Sequence, residues 1–125
     1  MKIILFVLHD PEKLDELLTA WEEAGVSGAT VLFSTGLGRI RQDQSLRDDI
    51  PLMPSLGDFF PRVERLSRTV FTIVEEDTIV DPVIAATERV VGDLTQPDRG
   101  LLAVLPVSQI RGLRRHTSKP KRSPA

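Results

Sequence analysis

The 125-residue sequence contains no cysteine, no tyrosine and no asparagine. Without cysteine it has no disulfides, thiolate metal sites or cysteine nucleophiles, which fits a reducing cytoplasm. No run of 18 apolar residues is present, so no membrane span is expected, and the N-terminal apolar stretch has no signal-peptide cleavage site. The two histidines, His9 and His116, are far apart in the sequence and form neither a zinc site nor a nucleophile–base pair. These absences predict a cytoplasmic protein that is not an enzyme.

Charge is distributed unevenly along the chain. The net charge is −2, and residues 115–125 carry four basic residues and no acidic one, which leaves −6 on the remainder. A weakly acidic body argues against a nucleic-acid-binding surface. The basic tail has no apolar periodicity and is expected to be disordered. The sequence therefore predicts one domain over residues 1–114 and a disordered tail over residues 115–125.

Three continuous apolar runs stand out, at residues 3–8, 70–74 and 101–105. Alternating strands bury one face of a sheet, whereas continuous apolar runs are typical of strands buried on both faces. A fourth strand is expected from Gly28 or Ala29 to Thr35. Two helices cover only one side of such a sheet, so a second copy of the chain is expected to cover the other.

Local signals place the helices between these strands. Asp10-Pro11 is a typical N-cap and first-turn pair, and Gly25 follows an apolar stripe where a left-handed cap is favoured. The second helix begins at either Asp77 or Asp81, and Asp81-Pro82 is preferred because it repeats Asp10-Pro11. A short edge strand is also expected within residues 107–113. Two βαβ units in tandem predict an α+β, ferredoxin-like βαββαβ fold with an antiparallel sheet.

Two loops carry candidate anion-binding residues. Gly36-Leu37-Gly38-Arg39 directly follows a strand, where glycines let backbone N–H groups approach an anion and an arginine binds phosphate in a bidentate way. The segment is also typical of an ordinary turn into the long loop that follows, in which residues 55–60 are expected to form a short helical turn. Asp98-Arg99-Gly100 lies between a helix and a strand and equally fits a plain tight turn.

The order of these segments resembles the nitrogen-regulatory PII family, and more closely its PII-like signalling relatives. The resemblance covers residues 1–114. Its motifs are Pro11-Glu12-Lys13-Leu14-Asp15, the 25–31 segment, the Gly36–Arg39 loop and the 100–107 segment, with Arg114 at the end. The family forms trimers that bind adenine nucleotides in three clefts between subunits. The resemblance makes residues 39–54 the T-loop, which engages a partner protein such as a transporter or an enzyme.

Site residues follow from the resemblance by position. Those implied to bind the nucleotide are Thr30, Gly36, Leu37, Gly38, Arg39, Ile73, Asp98, Arg99, Gly100 and Arg114. The implied ligand is ATP, ADP, AMP or a cyclic adenine nucleotide, with no cofactor and no metal. The chain departs from the family pattern at Ile40, where 2-oxoglutarate-sensing members have glutamine. It also has Leu101 where the family's B-loop ends in lysine, with Arg99 as a substitute, and no tyrosine for uridylylation.

Two other functions fit the same order of strands and helices. One is a structural or interaction trimer of CutA-type architecture, in which the glycine-rich segment only turns the chain. The other is an amino-acid-binding module of the ACT type, which ranks lower because the loop after the second strand is cationic, glycine-rich and very long.

Overall fold

The computed structural model describes residues 1–37 and 66–113. These residues form four strands and two α-helices in the order β1, α1, β2, β3, α2, β4, with a short 3-10 turn before each helix. The elements are β1 (Lys2–Leu8), α1 (Leu14–Ala24), β2 (Thr30–Ser34), β3 (Ser67–Val74), α2 (Val80–Val91) and β4 (Leu101–Pro106).

The four strands form one antiparallel sheet in the order β2-β3-β1-β4. Ile4 of β1 lies opposite Thr72 of β3 and Val104 of β4, and Leu32 of β2 lies opposite Thr69 of β3. Both βαβ crossovers therefore place their helices on the same side. This arrangement confirms the predicted α+β, ferredoxin-like fold.

The hydrophobic core lies between the sheet and the two helices. Its side chains come from one face of β1 and β3 and from the inward faces of α1 and α2: Ile4, Phe6, Leu8, Leu17, Trp21, Val70, Val74, Val83 and Val91. Trp21 is the largest buried side chain, and its Nε1 donates to Thr87 Oγ1 at 2.8 Å. Thr87 Oγ1 donates in turn to the Val83 carbonyl oxygen. This buried link joins α1 to α2 and leaves the indole N–H satisfied.

The opposite face of the sheet is apolar except for Thr30, Ser34, Ser67 and Thr69 on β2 and β3, and it is not covered by either helix. It carries Ile3, Leu5, Val7, Leu32, Phe71, Ile73, Leu101, Ala103 and Leu105, because alternate residues of a strand point to opposite faces. Three of them are well exposed: Leu101 at 62%, Leu32 at 50% and Leu105 at 45%. The sheet thus has two apolar faces. The described part of the chain buries one of them over β1 and β3, whereas Val31 and Phe33 of β2, on the same face, are 36% and 64% exposed.

The local signals around α1 act as predicted. Asp10 is extended, and its carboxylate accepts a hydrogen bond from the Glu12 N–H at 3.0 Å, at the start of the Pro11–Lys13 turn. Gly25 ends the helix in the left-handed region, with φ 114°. A glycine adopts this conformation without steric strain between its β-carbon and the backbone.

The preferred start of the second helical segment at Asp81 was wrong, and the segment begins at the alternative, Asp77, as a 3-10 turn that precedes α2. A 3-10 turn over Asp77–Ile79 leads directly into α2, so Asp81 and Pro82 lie inside the first helical turn. A proline is tolerated there because the first N–H groups of a helix have no intrahelical acceptor. Asp81-Pro82 therefore continues the helix rather than starting it.

The expected strand within residues 107–113 is also absent, since the described chain has no strand after Pro106. Val107 makes one further ladder bond, its N–H donating to the Met1 carbonyl oxygen at 3.2 Å, and Gly112 then adopts φ 85°. No other described strand lies beside this segment to pair with it. The expected turn over residues 55–60, the predicted T-loop and the predicted tail lie outside the described residues.

Candidate functional site

Gly36 and Leu37 lie at the carboxyl end of β2, where both are exposed to solvent. A β-carbon added to Gly36 meets no described atom within 4 Å, so packing against the described residues does not require glycine at this position. Gly38 and Arg39, the other members of the predicted glycine-arginine loop, lie outside the described residues. The structure therefore locates the start of this predicted phosphate-binding segment.

A cluster of hydroxyl groups lies beside Gly36, where β2 ends and β3 begins. Ser34 Oγ is 3.0 Å from Ser67 Oγ and 2.8 Å from Thr69 Oγ1, and Ser67 Oγ also donates to the Ser34 carbonyl oxygen at 2.9 Å. The next hydroxyl, Thr35 Oγ1, is buried without a hydrogen-bond partner in the described part of the chain. Sequence reasoning missed these residues, although four hydroxyl residues flanking one long loop were a visible signal.

The second predicted loop is held tightly against β1. Asp98 adopts φ 64° and Gly100 adopts φ 119°, both in the left-handed region. A β-carbon on Gly100 would lie 2.6 Å from the Val7 carbonyl oxygen and 2.7 Å from the Phe6 ring. Only glycine fits this close approach without displacing backbone atoms or the core. Gly100 therefore allows the loop to pass in direct contact with the backbone of β1.

Arg99 extends toward the carboxyl end of α2. Its Nη1 lies 3.5 Å from the Val91 carbonyl oxygen, and its guanidinium lies 3.5 Å from the position of a β-carbon on Gly92. Asp93 is adjacent. Hydrogen bonds from the Thr95 N–H and hydroxyl hold the pKa of the Asp93 carboxyl below its usual range, and the positive charge of Arg99 adds to the effect. The predicted phosphate-binding arginine is thus engaged with the helix end in this structure.

Thr30 and Ile73, predicted to lie near the base of the ligand, are at the other end of the sheet. Thr30 opens β2 opposite Phe71, and Ile73 lies two residues further along β3, opposite Ile3. Ser34 lies four positions along β2 from Thr30, about 13 Å away. The structure brings Thr30 and Ile73 near each other on the face that the helices leave open. The last predicted site residue, Arg114, lies outside the described residues.

The two predicted phosphate-binding loops lie at one end of the sheet but on opposite edges. Because β2 runs parallel to β1 and β4 antiparallel to it, the end of β2 and the start of β4 meet the same end of the sheet. Two strands separate them, so Gly36 and Gly100 are about 14 Å apart across three strand spacings. Within one chain, the described residues of these two loops are therefore not adjacent.

Other kinds of site have less support in residues 1–37 and 66–113. No group of three or more His, Cys, Asp or Glu side chains there could hold a metal ion. His9 is exposed at the end of β1. None of the helices in this part of the chain is both long enough and apolar enough to cross a membrane.

Comparison with known proteins assigns the family. The sequence matches the profile of the nitrogen regulatory protein P-II over residues 1–117, which is nearly the whole chain. The chain therefore belongs to the nitrogen regulatory protein P-II family, as the resemblance implied, and that family consists of regulatory signalling proteins rather than enzymes. No curated protein matches the sequence.

Proposed function

We propose that the protein is a cytoplasmic, trimeric sensor that binds an adenine nucleotide in clefts between subunits. ATP, ADP, AMP or a cyclic adenine nucleotide is the ligand, and residues 39–54 act as the T-loop that regulates a partner protein. The observation that carries the proposal is the position of the two loops, since Gly36 and Gly100 share one end of the sheet but lie on opposite edges. A ligand contacts both kinds of loop only where the β2 edge of one subunit meets the β4 edge of another.

The uncovered sheet face supports this assembly. Leu32 lies on the β2 edge strand and Leu101 and Leu105 on the β4 edge strand, with roughly half of each side chain exposed. Burying a whole leucine side chain stabilises a protein by about 1.5–3 kcal/mol, so the exposed halves are worth about 1 kcal/mol each. Ile3, Leu5, Phe71 and Ile73 add to the same surface between the edges. This sum is substantial against the about 5–15 kcal/mol that stabilises a typical domain.

Ligand binding is tested by a thermal-shift panel on the full-length chain. The compounds are ATP, ADP, AMP, cyclic AMP and cyclic di-AMP, with GTP as the control for a non-adenine base. A ligand that binds only the folded state raises the melting temperature in proportion to the logarithm of its concentration. We expect at least one adenine compound to do so and GTP to do so less. If no adenine compound stabilises the protein at millimolar concentration, the sensor function is wrong and a purely structural trimer of CutA-type architecture is favoured.

Assembly is tested by sedimentation velocity on two matched variants. Leu105→Glu places a carboxylate on the uncovered sheet face, away from both predicted phosphate-binding loops. Ala85→Glu places the same group on an exposed position of α2 and is the control. We expect Leu105→Glu to sediment as a monomer without nucleotide binding, and Ala85→Glu to remain a trimer that binds. A wild-type chain that is monomeric and still binds nucleotide would refute a site between subunits.

A further inference from the structure

The carboxyl end of α2 gathers negative charge in a small volume. The last carbonyl groups of a helix have no intrahelical donor and carry a partial negative charge, which attracts a cation. The Asp93 carboxylate follows directly after the Gly92 cap and accepts hydrogen bonds from the Thr95 N–H at 2.9 Å and hydroxyl at 2.7 Å. Three cations lie at this helix end: Arg89 in the last turn, Lys13, whose Nζ is 3.5 Å from the Val90 carbonyl oxygen, and Arg99, through the contact with Val91 described above. Of these, Arg99 is the one that belongs to the loop after the helix.

Contacts at three places hold the chain between Gly92 and Gly100. Its first part is closed by three backbone N–H groups: Leu94 to Glu88 Oε2 at 3.1 Å, Thr95 to the Asp93 carboxylate, and Gln96 to the Asp93 carbonyl oxygen at 3.1 Å. Its last residue is seated over β1, since Gly100 lies directly against the Val7 carbonyl oxygen. The third contact is that of Arg99 with the Val91 carbonyl oxygen, which connects the end of the loop to the helix end from which the loop starts.

We propose that Arg99 is a positioning residue that holds the 93–100 loop in shape, and that it does not contact the phosphates of a ligand. The proposal rests on the proposed function, since the loop it shapes is one half of the nucleotide cleft. The resemblance to the family implies that Arg99 contacts phosphate, in place of the lysine that the family has at the position of Leu101. The proposal gives Arg99 a different role. The loop then presents its backbone to the ligand at residues 98–100, while the guanidinium remains at the helix end.

Three variants separate positioning from phosphate contact. Arg99→Ala removes the cation, Arg99→Lys keeps the charge at the helix end, and Arg99→Gln keeps a long polar side chain without charge. Affinities for adenosine and for the best-binding nucleotide of the thermal-shift panel are measured by calorimetry, at a temperature where every variant is fully folded. A positioning role predicts that Arg99→Ala weakens both ligands by the same factor, about two- to fivefold, the effect of one cation at a helix end. Arg99→Lys is expected to restore most of the affinity, and Arg99→Gln to behave like Arg99→Ala.

Hydrogen exchange of the loop amides gives a second readout that needs no ligand. The N–H groups of Leu94, Thr95 and Gln96 are expected to exchange about two- to fivefold faster in Arg99→Ala than in wild type. The Val26 N–H, which donates to the Trp21 carbonyl oxygen in α1, is the internal control and is expected not to change.

The outcomes are distinct. Loss of nucleotide affinity with adenosine binding unchanged would show that Arg99 contacts phosphate and would overturn the proposal. Unchanged loop exchange in Arg99→Ala would also overturn it, whatever the ligand results. If wild-type protein binds no adenine compound while Arg99→Ala still accelerates exchange in the loop, the nucleotide function fails and the positioning of the loop by Arg99 stands.

Discussion

Among the described glycines, Gly100 is the one at which an added β-carbon would come closest to other atoms, so its replacement by alanine is expected to reduce stability most. Its backbone adopts φ 119°, and a β-carbon there would lie 2.6 Å from the Val7 carbonyl oxygen, closer than real β-carbons come. The same carbon would lie 2.7 Å from Phe6, a core side chain with no exposed surface. Neither neighbour has room to move, since one is the backbone of a central strand and the other is enclosed. Gly100→Ala is therefore expected to destabilise the protein by two separate mechanisms.

The two contributions can be estimated. A non-glycine residue held in an unfavourable backbone region loses about 1–3 kcal/mol. Inserting a carbon into a filled core loses about 1–3 kcal/mol more through displaced neighbours. Together they predict that Gly100→Ala lowers the free energy of unfolding by about 2–6 kcal/mol, a large fraction of the stability of a small domain.

Two other glycines are matched controls. Gly112 has a positive φ of 85° but no described atom within 4 Å of an added β-carbon, so Gly112→Ala is expected to show at most the backbone strain, about 1–3 kcal/mol. Gly28 has neither a positive φ nor a neighbour in the described structure, and Gly28→Ala is expected to be neutral or to stabilise by up to about 1 kcal/mol.

Urea unfolding followed by tryptophan fluorescence measures all three variants. Trp21 is the only tryptophan and is 1% exposed, so its emission reports the loss of the core. The protomer concentration is held constant across the series, because association adds to apparent stability. If Gly100→Ala is no more destabilising than Gly112→Ala, the close approach to β1 does not restrict this position and the reasoning is wrong.

Three further predictions concern single side chains. Thr87→Val leaves the buried Trp21 indole N–H without its acceptor and is expected to lower the free energy of unfolding by about 1–3 kcal/mol, whereas Thr87→Ser is expected to change it little; equal effects in urea unfolding would contradict this. Asp93→Asn removes a carboxyl whose pKa is lowered from 3.8 by hydrogen bonds from Thr95, so its contribution is present above the unfolded-state pKa and is lost as the pH falls from there through the lower folded-state pKa. The wild-type stability should therefore fall more steeply with acid than that of Asp93→Asn, and parallel pH profiles would refute it. Thr35→Val replaces a buried hydroxyl that lacks a partner in the described structure and is expected to stabilise the unliganded protein by about 1 kcal/mol, with Thr35→Ser as the control; lower stability in the same urea assay would refute it.

The parts of the fold that local chemistry determines were predictable from the sequence. Asp10 and Gly25 each act within a few residues of their own position, one by accepting a hydrogen bond and the other by adopting a positive φ. The continuous apolar runs likewise identified β1, β3 and β4 as strands, because such runs are visible in the sequence without any knowledge of the fold. The right-handed crossover of each βαβ unit then predicted that both helices lie on one side of the sheet.

The two errors in the fold arose where a local pattern has more than one structural meaning. An Asp-Pro pair fits an N-cap and first turn, but it also fits the interior of a first turn, as at Asp81-Pro82. Here the extended backbone ends at Glu76, five residues before Asp81, and the helical segment begins directly after it. The segment after Pro106 has some strand-like residues, but a strand needs a neighbour. No described strand of the same chain provides one there.

The sequence allowed candidate site residues to be named, but not their positions relative to one another in the fold. The two loops were identified from glycine, arginine and their neighbours. Their separation across the sheet depends on strand order, and the direction of the Arg99 side chain depends on Gly92 and Val91, seven and eight residues earlier. The hydroxyl cluster at Ser34 and Ser67 joins residues 33 apart in sequence, a distance over which local patterns carry no information.

The uncovered sheet face and the divided site have one physical explanation in the proposed assembly. Contacts that bury Leu32 and Leu105 would join a β2 edge to a β4 edge, and the same junction would bring Gly36 of one subunit toward Gly100 of another. A ligand in that cleft binds the assembled state and not the separated chains, so its binding energy must stabilise the assembly by linkage. In the proposed trimer, the apolar surface between subunits and the two loops assigned to the nucleotide would then be thermodynamically coupled, and a substitution on the sheet face would change ligand affinity without contacting the ligand.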